Sequence, residues 1–91
     1  MANHKDAAKR ARQSLVQRLR NRHYRSMMRT RIKAVRDAVS AGDVNKAQAN
    51  LRDAMSVIHR VARKGIIHVN QAGRRISRLN KLVKNLALGA R

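Results

Sequence analysis

Apolar residues recur every three or four positions through the second half of the chain, which is the spacing of one face of an α-helix. One series runs from Val44 to Val61 and another from Val69 to Leu86. The first series consists of Val44, Ala47, Leu51, Ala54, Ile58 and Val61, and the second of Val69, Ala72, Ile76, Leu79, Val83 and Leu86. Each series predicts an amphipathic helix with one buried stripe.

Glycine residues mark where these helices stop, because the chain contains no proline. Gly42 followed by Asp43 is typical of a helix C-terminus followed directly by the N-cap of the next helix. Gly65 predicts a second stop, with Ile66 placed to make the hydrophobic contact that often accompanies it. Asn70 is a candidate cap for a third helix, which we expect to end at Gly89. The predicted helices span about 6–41, 43–64 and 69–88.

Short connections make consecutive helices antiparallel neighbours. The sequence therefore predicts an all-α fold, an antiparallel three-helix bundle with a long, projecting first helix, in a single domain over residues 1–91. The core must be small and aliphatic, because Tyr24 is the only aromatic residue.

The first helix changes character along its length. Its second half carries an apolar seam that consists of Tyr24, Met28, Ile32, Val35 and Val39. Leu15 and Leu19 fall almost opposite that seam at 100° per residue, so the first half has no continuous stripe to bury. A helix of about 35 residues is roughly 50 Å long, whereas partners of about 20 residues reach roughly 30 Å. We therefore expect the first four turns or so to project beyond the bundle.

The charge of the projecting part indicates what kind of partner it binds. Between Ala7 and Arg36 there are eleven Lys or Arg residues and no Asp or Glu, in a chain whose net charge is +19. Solvated helix faces normally mix both signs, so an array of one sign favours a polyanionic partner. Like charges at helical spacing also repel one another. We expect the free chain to be marginally stable and to tighten on its partner.

Six of these cations share a sector of about 80° on the helical wheel, beside the apolar seam. This set, called the cationic rail below, consists of Arg18, Arg22, Arg25, Arg29, Lys33 and Arg36. Lys9, Arg20 and Arg31 occupy other sides, so the projecting part is basic nearly all round. Arg offers a planar fork to phosphate, and short polar groups can bond sugar or phosphate oxygens. The candidates for the second role are Asn21, Ser26, Thr30 and Asn70.

The near absence of aromatic residues narrows the kind of nucleic acid. Single-strand binding normally uses aromatic side chains on which bases stack, and this chain offers no such platform. We therefore expect recognition of folded duplexes by shape and backbone, with little direct base reading. RNA helices fit that mode better than a DNA major groove.

Other chemistry is sparse. His4, His23, His59 and His68 are scattered without ligand spacing, and the chain has no cysteine and no glutamate. We therefore expect no metal site, no cofactor and no enzymatic activity. His68, just after the second predicted stop, is interpreted as a local hydrogen-bonding or phosphate-facing group.

The expected location is cytoplasmic, because no apolar run approaches the roughly 18 residues of a membrane span and no signal-peptide core follows the basic N-terminus. A basic helix that lies on an anionic membrane is an alternative, but such helices carry Trp, Phe or Leu opposite their charges. Here those positions hold mostly Ala, Met and isolated Leu. We expect no membrane partner.

Several sequence blocks resemble a known family. They are the opening Met-Ala-Asn, RSMMRTRIKAV at 25–35, AGD at 41–43 and KGIIHVNQAGRRISRL at 64–79. These blocks resemble the S20 family of bacterial small-subunit ribosomal proteins. The resemblance spans nearly the whole chain, and the blocks follow one another in the same order as in the family. The resemblance implies a three-helix bundle that binds 16S ribosomal RNA directly and joins helices of its 5′ domain to the long penultimate-stem helix, among other 30S components. One departure is Gly73, where the family pattern favours Ala, which implies a softer first turn or a close approach of RNA to the backbone.

The resemblance also implies which residues contact RNA. Those residues are Asn3, Lys9, Arg10, Arg12, Arg18, Arg22, Arg25, Ser26, Arg29, Thr30, Lys33, Lys64, His68, Asn70, Arg74, Arg75 and Arg78. To this set we add further cations and one amide from the basic regions, namely Lys5, Arg20, Asn21, Arg36 and Lys81. The predicted function is a structural constituent of the small subunit that bridges rRNA helices during 30S assembly.

The main alternative is a basic DNA-binding or nucleoid-compacting protein. It would use Ala7 to Arg36 as a basic region and the next helix as a zipper. Forking helices of that kind are continuous, yet Gly42 and Asp43 interrupt this one. The Ala-rich second stripe is also a poor zipper, so we expect no homo-oligomer.

Overall fold

Three helices make up the computed structural model, which describes residues 4–89. They are α1 (His4–Ser40), α2 (Val44–Arg63) and α3 (Val69–Gly89). The predicted fold class is confirmed, and each predicted helix end lies within two residues of the observed one. The molecule is elongated, with principal dimensions of 70 × 21 × 14 Å. No helix in residues 4–89 is long and apolar enough to span a bilayer.

The turn between α1 and α2 forms as its glycine predicts. Gly42 has a φ of +73°, a left-handed conformation that side chains with a Cβ rarely adopt. The Gly42 N–H donates to the Val39 carbonyl (3.0 Å) and the Asp43 N–H to the Ala38 carbonyl (3.1 Å), which is a Schellman stop. Asp43 Oδ1 then accepts from the Lys46 N–H at 3.0 Å, so the predicted N-cap starts α2 at once.

The end of α2 repeats this geometry. Gly65 has a φ of +76° and donates its N–H to the Ala62 carbonyl at 2.9 Å. The Ile66 N–H donates to the Val61 carbonyl at 3.1 Å. The Ile66 side chain is 7% exposed and belongs to the same core cluster as Val61, so the predicted hydrophobic contact at this stop is confirmed.

The start of α3 differs from the prediction, since the cap is His68 and not Asn70. The His68 carbonyl accepts from the Ala72 N–H (3.1 Å), and His68 Nδ1 accepts from the Asn70 N–H (3.0 Å). Local hydrogen bonding by His68 is therefore confirmed. The interpretation of Val69 as a core residue is wrong: it is the first residue of α3 and is 68% exposed. The buried stripe of α3 begins one turn later, at Ala72.

The core is aliphatic, as predicted, and lies where all three helices overlap. It consists of Met28, Ile32, Val35, Ala38, Ala47, Ala54, Val57, Ile58, Val61, Ile66, Ile67, Ala72, Leu79 and Val83. The predicted α2 stripe omitted Val57, which is buried. The reason is that α2 packs against both α1 and α3, so its buried face is wider than one stripe. Contact between α1 and α3 is the smallest of the three interfaces.

Two long-range contacts fix how α2 runs along α1. Asn50 Nδ2 donates to the Ala34 carbonyl at 3.2 Å, and both residues lie eight positions from Gly42, so the helices are antiparallel. At the far end of α2, Lys64 Nζ lies 4.9 Å from the centroid of the Tyr24 ring. This fold-back argues against the DNA-binding alternative, because a forking zipper needs α1 and α2 to form one continuous helix.

The part of α1 that precedes this overlap projects as expected. Every side chain from His4 to Arg20 is exposed, including Leu15 (52%) and Leu19 (56%). These residues, called the projecting segment below, extend about 25 Å at 1.5 Å per residue. This part of α1 therefore buries no side chain in the core of the bundle.

Gly73 provides a test of local stability. It lies inside α3, and a Cβ added there meets no atom within 4 Å. We expect Gly73→Ala to raise the free energy of unfolding by about 0.5–1 kcal/mol, because Ala loses less backbone entropy in a helix. Urea denaturation followed by circular dichroism measures this change.

The matched control is Gly65→Ala. Its site is equally open, but its φ of +76° strains any residue with a Cβ. We expect this variant to lower the free energy of unfolding by about 1–2 kcal/mol. Two Ala variants that shift stability in the same direction would contradict the helix-propensity account of Gly73.

Candidate nucleic-acid interface

The N-terminal part of the cationic rail lines one open hollow on α1. Four of its Arg residues, spaced three or four positions apart, form the walls together with an amide and a hydroxyl. The lining residues are Arg18, Asn21, Arg22, Arg25, Ser26 and Arg29, and the hollow encloses ≈ 540 Å³. The lining contains no carboxylate, so the positive charge of the guanidinium groups is not neutralised within the hollow. An anion with several oxygen atoms is the natural occupant.

Hydrogen bonds already hold two side chains in and beside the hollow, those of Arg25 and Thr30. Arg25 Nη2 donates to the Ile66 carbonyl at 3.3 Å, which ties the rail to the turn before α3. The Thr30 hydroxyl donates to the Ser26 carbonyl at 2.9 Å, so its oxygen retains only acceptor capacity. Asn21 Oδ1 is buried and accepts no hydrogen bond within residues 4–89. A donor on the bound partner would satisfy it.

The C-terminal end of the rail has different surroundings. Lys33 is exposed on α1 outside the hollow, whereas Arg36 turns toward α3 and lines a second depression. This depression, called the α1–α3 cleft below, encloses ≈ 340 Å³. Its lining residues are Ile32, Arg36, Gln71, Arg74, Arg75, Arg78, Leu79 and Leu82. The rail predicted from the wheel is therefore two surfaces with distinct chemistry.

The α1–α3 cleft brings together residues that the sequence separates widely. Arg74, Arg75 and Arg78, which the resemblance implied, lie opposite Arg36 across the cleft. The sequence interpretation missed Gln71 and Leu82. The signal was present in the spacing, because positions 71, 74, 75, 78 and 82 of α3 follow helical periodicity on one face.

The predicted residues at the turn between α2 and α3 lie near Arg25 of the rail, which bonds the Ile66 carbonyl in that turn. Lys64 is exposed and stands over the Tyr24 ring. His68 is also exposed; since its Nδ1 accepts a hydrogen bond, its neutral imidazole carries the proton on Nε2 and can donate outward. Asn70 and Lys81 are exposed on α3, outside both depressions.

The projecting segment presents the remaining predicted cations to solvent. Besides Arg18, which lines the hollow, its exposed cationic members from the predicted set are Lys5, Lys9, Arg10, Arg12 and Arg20. Arg12 lines a shallow apolar hollow with Gln13, Val16 and Gln17. Asn3 lies outside the described residues. Within residues 4–89, no three His, Cys, Asp or Glu side chains group closely enough to hold a metal ion.

Comparison with known proteins shows to which family the chain belongs. The model of the family described as ribosomal protein S20 matches residues 2–84. The chain belongs to this family. The match includes the blocks at 25–35 and 64–79 on which the resemblance was based. Members of the family are structural ribosomal components, and the chain is accordingly not an enzyme.

Individual relatives agree with this assignment over almost their full length. A protein named small ribosomal subunit protein bS20 from Magnetococcus marinus is 58% identical over 90 residues, which cover 99% of this chain and 98% of the relative. A protein of the same name from Helicobacter acinonychis is 49% identical over 88 residues, 97% of this chain and 99% of the relative. Another, from Desulfatibacillum aliphaticivorans, is 47% identical over 87 residues, 96% and 99% of the two chains.

Proposed function

We propose that this chain is a structural constituent of the cytoplasmic small ribosomal subunit that binds 16S rRNA directly. In this proposal the cationic rail and the projecting segment bridge rRNA helices during 30S assembly. The names of the relatives support a place in the small subunit. The observation that carries direct RNA binding is the hollow lined by Arg18, Arg22, Arg25 and Arg29 without a carboxylate.

The binding chemistry follows from guanidinium geometry. Each planar Arg fork can donate two parallel hydrogen bonds to phosphate oxygens. Side chains at helical spacing meet successive phosphates along a backbone, and release of counterions from the RNA supplies the driving force. Because residues 7–36 contain no Asp or Glu, no side chain of this segment competes with phosphate for these donors.

Bridging follows from the shape of the molecule. The projecting segment extends beyond the bundle with cations on several sides, while Arg74 and Arg78 lie on α3 within the bundle. One RNA element can therefore contact the projecting segment as another contacts the bundle. We propose helices of the 5′ domain and the long penultimate stem as these two elements.

One atom in the hollow favours RNA over DNA. Asn21 Oδ1 is a buried acceptor without a donor, beside Arg residues that attract the sugar–phosphate backbone. The 2′-hydroxyl of ribose is a donor that DNA lacks, so an RNA backbone in the hollow can supply the missing hydrogen bond once the Asn21 side chain turns toward it.

The test measures binding of the full chain to 16S rRNA, to its 5′-domain transcript and to a random RNA of equal length, over a series of salt concentrations. If the six rail cations contact phosphates, log K falls against log salt with a slope of about −5. We expect a preference of about a hundredfold or more for 16S rRNA over random RNA. A flat salt response or equal affinity for random RNA would overturn the proposal. Tighter binding to duplex DNA would favour the nucleoid-compacting alternative.

A further inference from the structure

The α1–α3 cleft differs from the hollow on α1 in having apolar as well as cationic walls. Ile32, Leu79 and Leu82 contribute aliphatic surface, and Leu82 is 37% exposed. Guanidinium groups surround this surface on both helices. They belong to Arg36 of α1 and to Arg74, Arg75 and Arg78 of α3. A site for phosphate alone has no use for aliphatic walls, since phosphate is fully polar.

Arg75 shows that the cleft is built to receive a hydrogen-bond acceptor. Its side chain is partly buried, and its Nε is fully buried without an acceptor within residues 4–89. A buried donor without a partner is unfavourable, so a shift of the Arg75 side chain that brings Nε to an acceptor in the cleft is favoured. The lining contains no carboxylate that could serve instead.

The size of the cleft sets the scale of the ligand. Its ≈ 340 Å³ lies at the lower end of small-molecule sites, which span about 300–1,000 Å³. The intact backbone of an RNA duplex is convex and cannot enter such a space with its bases paired. A single nucleotide that has left the stack combines a charged phosphate with a flat base whose faces are apolar, which matches both kinds of wall.

We propose that the α1–α3 cleft binds one unstacked RNA nucleotide. The phosphate accepts from Arg75 Nε and its guanidinium neighbours, and the base lies against Leu82 and Ile32 beneath an Arg plane. Guanidinium planes stack on bases. The cleft can therefore stack a base although the chain has almost no aromatic side chains. This inference rests on the proposed function only for the source of the nucleotide.

The first experiment titrates the full-length free chain with AMP, UMP, ribose 5-phosphate and inorganic phosphate, and follows methyl resonances by NMR. We expect the two nucleotides to bind at least about fivefold more tightly than ribose 5-phosphate, because stacking adds to the phosphate contact. We also expect the Ile32 and Leu82 methyl resonances to shift with the nucleotides and to remain unmoved with inorganic phosphate.

Two variants separate the contributions of the walls. Leu82→Asn should reduce AMP affinity to that of ribose 5-phosphate and leave the latter unchanged, with the exposed Leu88→Asn on the same helix as control. Arg75→Gln should weaken all four ligands by about tenfold or more, whereas Lys84→Gln, an exposed charge loss on α3, should change them less than twofold. Circular dichroism verifies that each variant is folded.

Equal affinity for AMP and ribose 5-phosphate, the absence of saturable nucleotide binding, or unmoved Leu82 methyl resonances would each overturn the inference. These outcomes are distinguishable from failure of the proposed function. A chain that prefers 16S rRNA but does not discriminate AMP from ribose 5-phosphate retains its function and lacks the nucleotide site. A chain that binds AMP in the cleft but shows no preference for 16S rRNA retains the site and loses the proposed function.

Discussion

Removal of three rail charges should weaken binding of 16S rRNA by about a hundredfold at physiological salt. The variant replaces Arg18, Arg22 and Arg29 with Gln and keeps Arg25, because the Arg25 guanidinium also bonds the Ile66 carbonyl. Each lost Arg–phosphate contact should reduce the steepness of the salt dependence by about one unit of slope. Gln is a good helix former and relieves charge repulsion, so α1 should persist. Filter binding at several salt concentrations measures both effects.

A second triple variant separates local contact from the loss of net charge. Lys46, Arg52 and Arg60 are exposed on α2, away from both depressions, and replacing them with Gln removes three charges from the same total of +19. This control should lower rRNA affinity by about tenfold at most and leave the slope nearly unchanged. If both triples weaken binding equally, the rail acts only as part of a diffuse positive field.

The helices and their ends could be predicted because their signals are local. At the left-handed Gly42, α1 ends through bonds from the Gly42 and Asp43 N–H groups to carbonyls three and five residues earlier, respectively, and Asp43 caps α2 by accepting from the N–H three residues later. The His68 cap was missed because His is an uncommon N-cap and Asn a common one, so propensity favoured Asn70. Val69 was placed in the core for a separate reason, its three-residue spacing from Ala72, but it is the first residue of α3 and is 68% exposed.

The apolar pattern correctly predicted an aliphatic core but omitted some of its buried residues. A helical wheel assigns one stripe to each helix, which suits a helix with one neighbour. The middle helix of three has two neighbours, so Val57 is buried beside Ile58 even though it lies off the predicted stripe. Ile67 is also buried in the core although it lies between α2 and α3, where a helical wheel assigns no stripe.

The candidate site was predictable as a list of cations and not as a set of surfaces. The wheel of α1 placed Arg36 with the rail because a wheel describes one helix at a time. In the structure Arg36 faces Arg74 and Arg78 of α3, since the small α1–α3 interface leaves the cleft open between them. That arrangement depends on how three helices pack, which no single-helix pattern contains.

In the free chain, backbone amides of the projecting segment should exchange with solvent at least about a hundredfold faster than those of the α1 residues in the core. No side chain from His4 to Arg20 is buried in the core, and the closely spaced cations of this segment repel one another. Met28 to Ala38, on the same helix, are held by the bundle. Bound rRNA should neutralise the cations and bring the two exchange rates together. Hydrogen–deuterium exchange of the free and bound chain measures the difference, and circular dichroism should show lower helix content in the free chain.

Charge repulsion as the cause can be tested within the same segment. Glu at positions 14 and 16 would pair with Arg18 and Arg20 one turn later, each pair adding about 0.2–0.5 kcal/mol to the helix. Ser14→Glu with Val16→Glu should therefore slow exchange in the free chain, whereas Ser14→Gln with Val16→Gln adds similar side chains without charge and should not. The Glu variant should at the same time bind rRNA more weakly, because its carboxylates compete for the phosphate-binding cations. Equal exchange in the two variants would show that repulsion does not govern the order of this segment, and slow exchange in the unmodified free chain would show that it is ordered before RNA arrives.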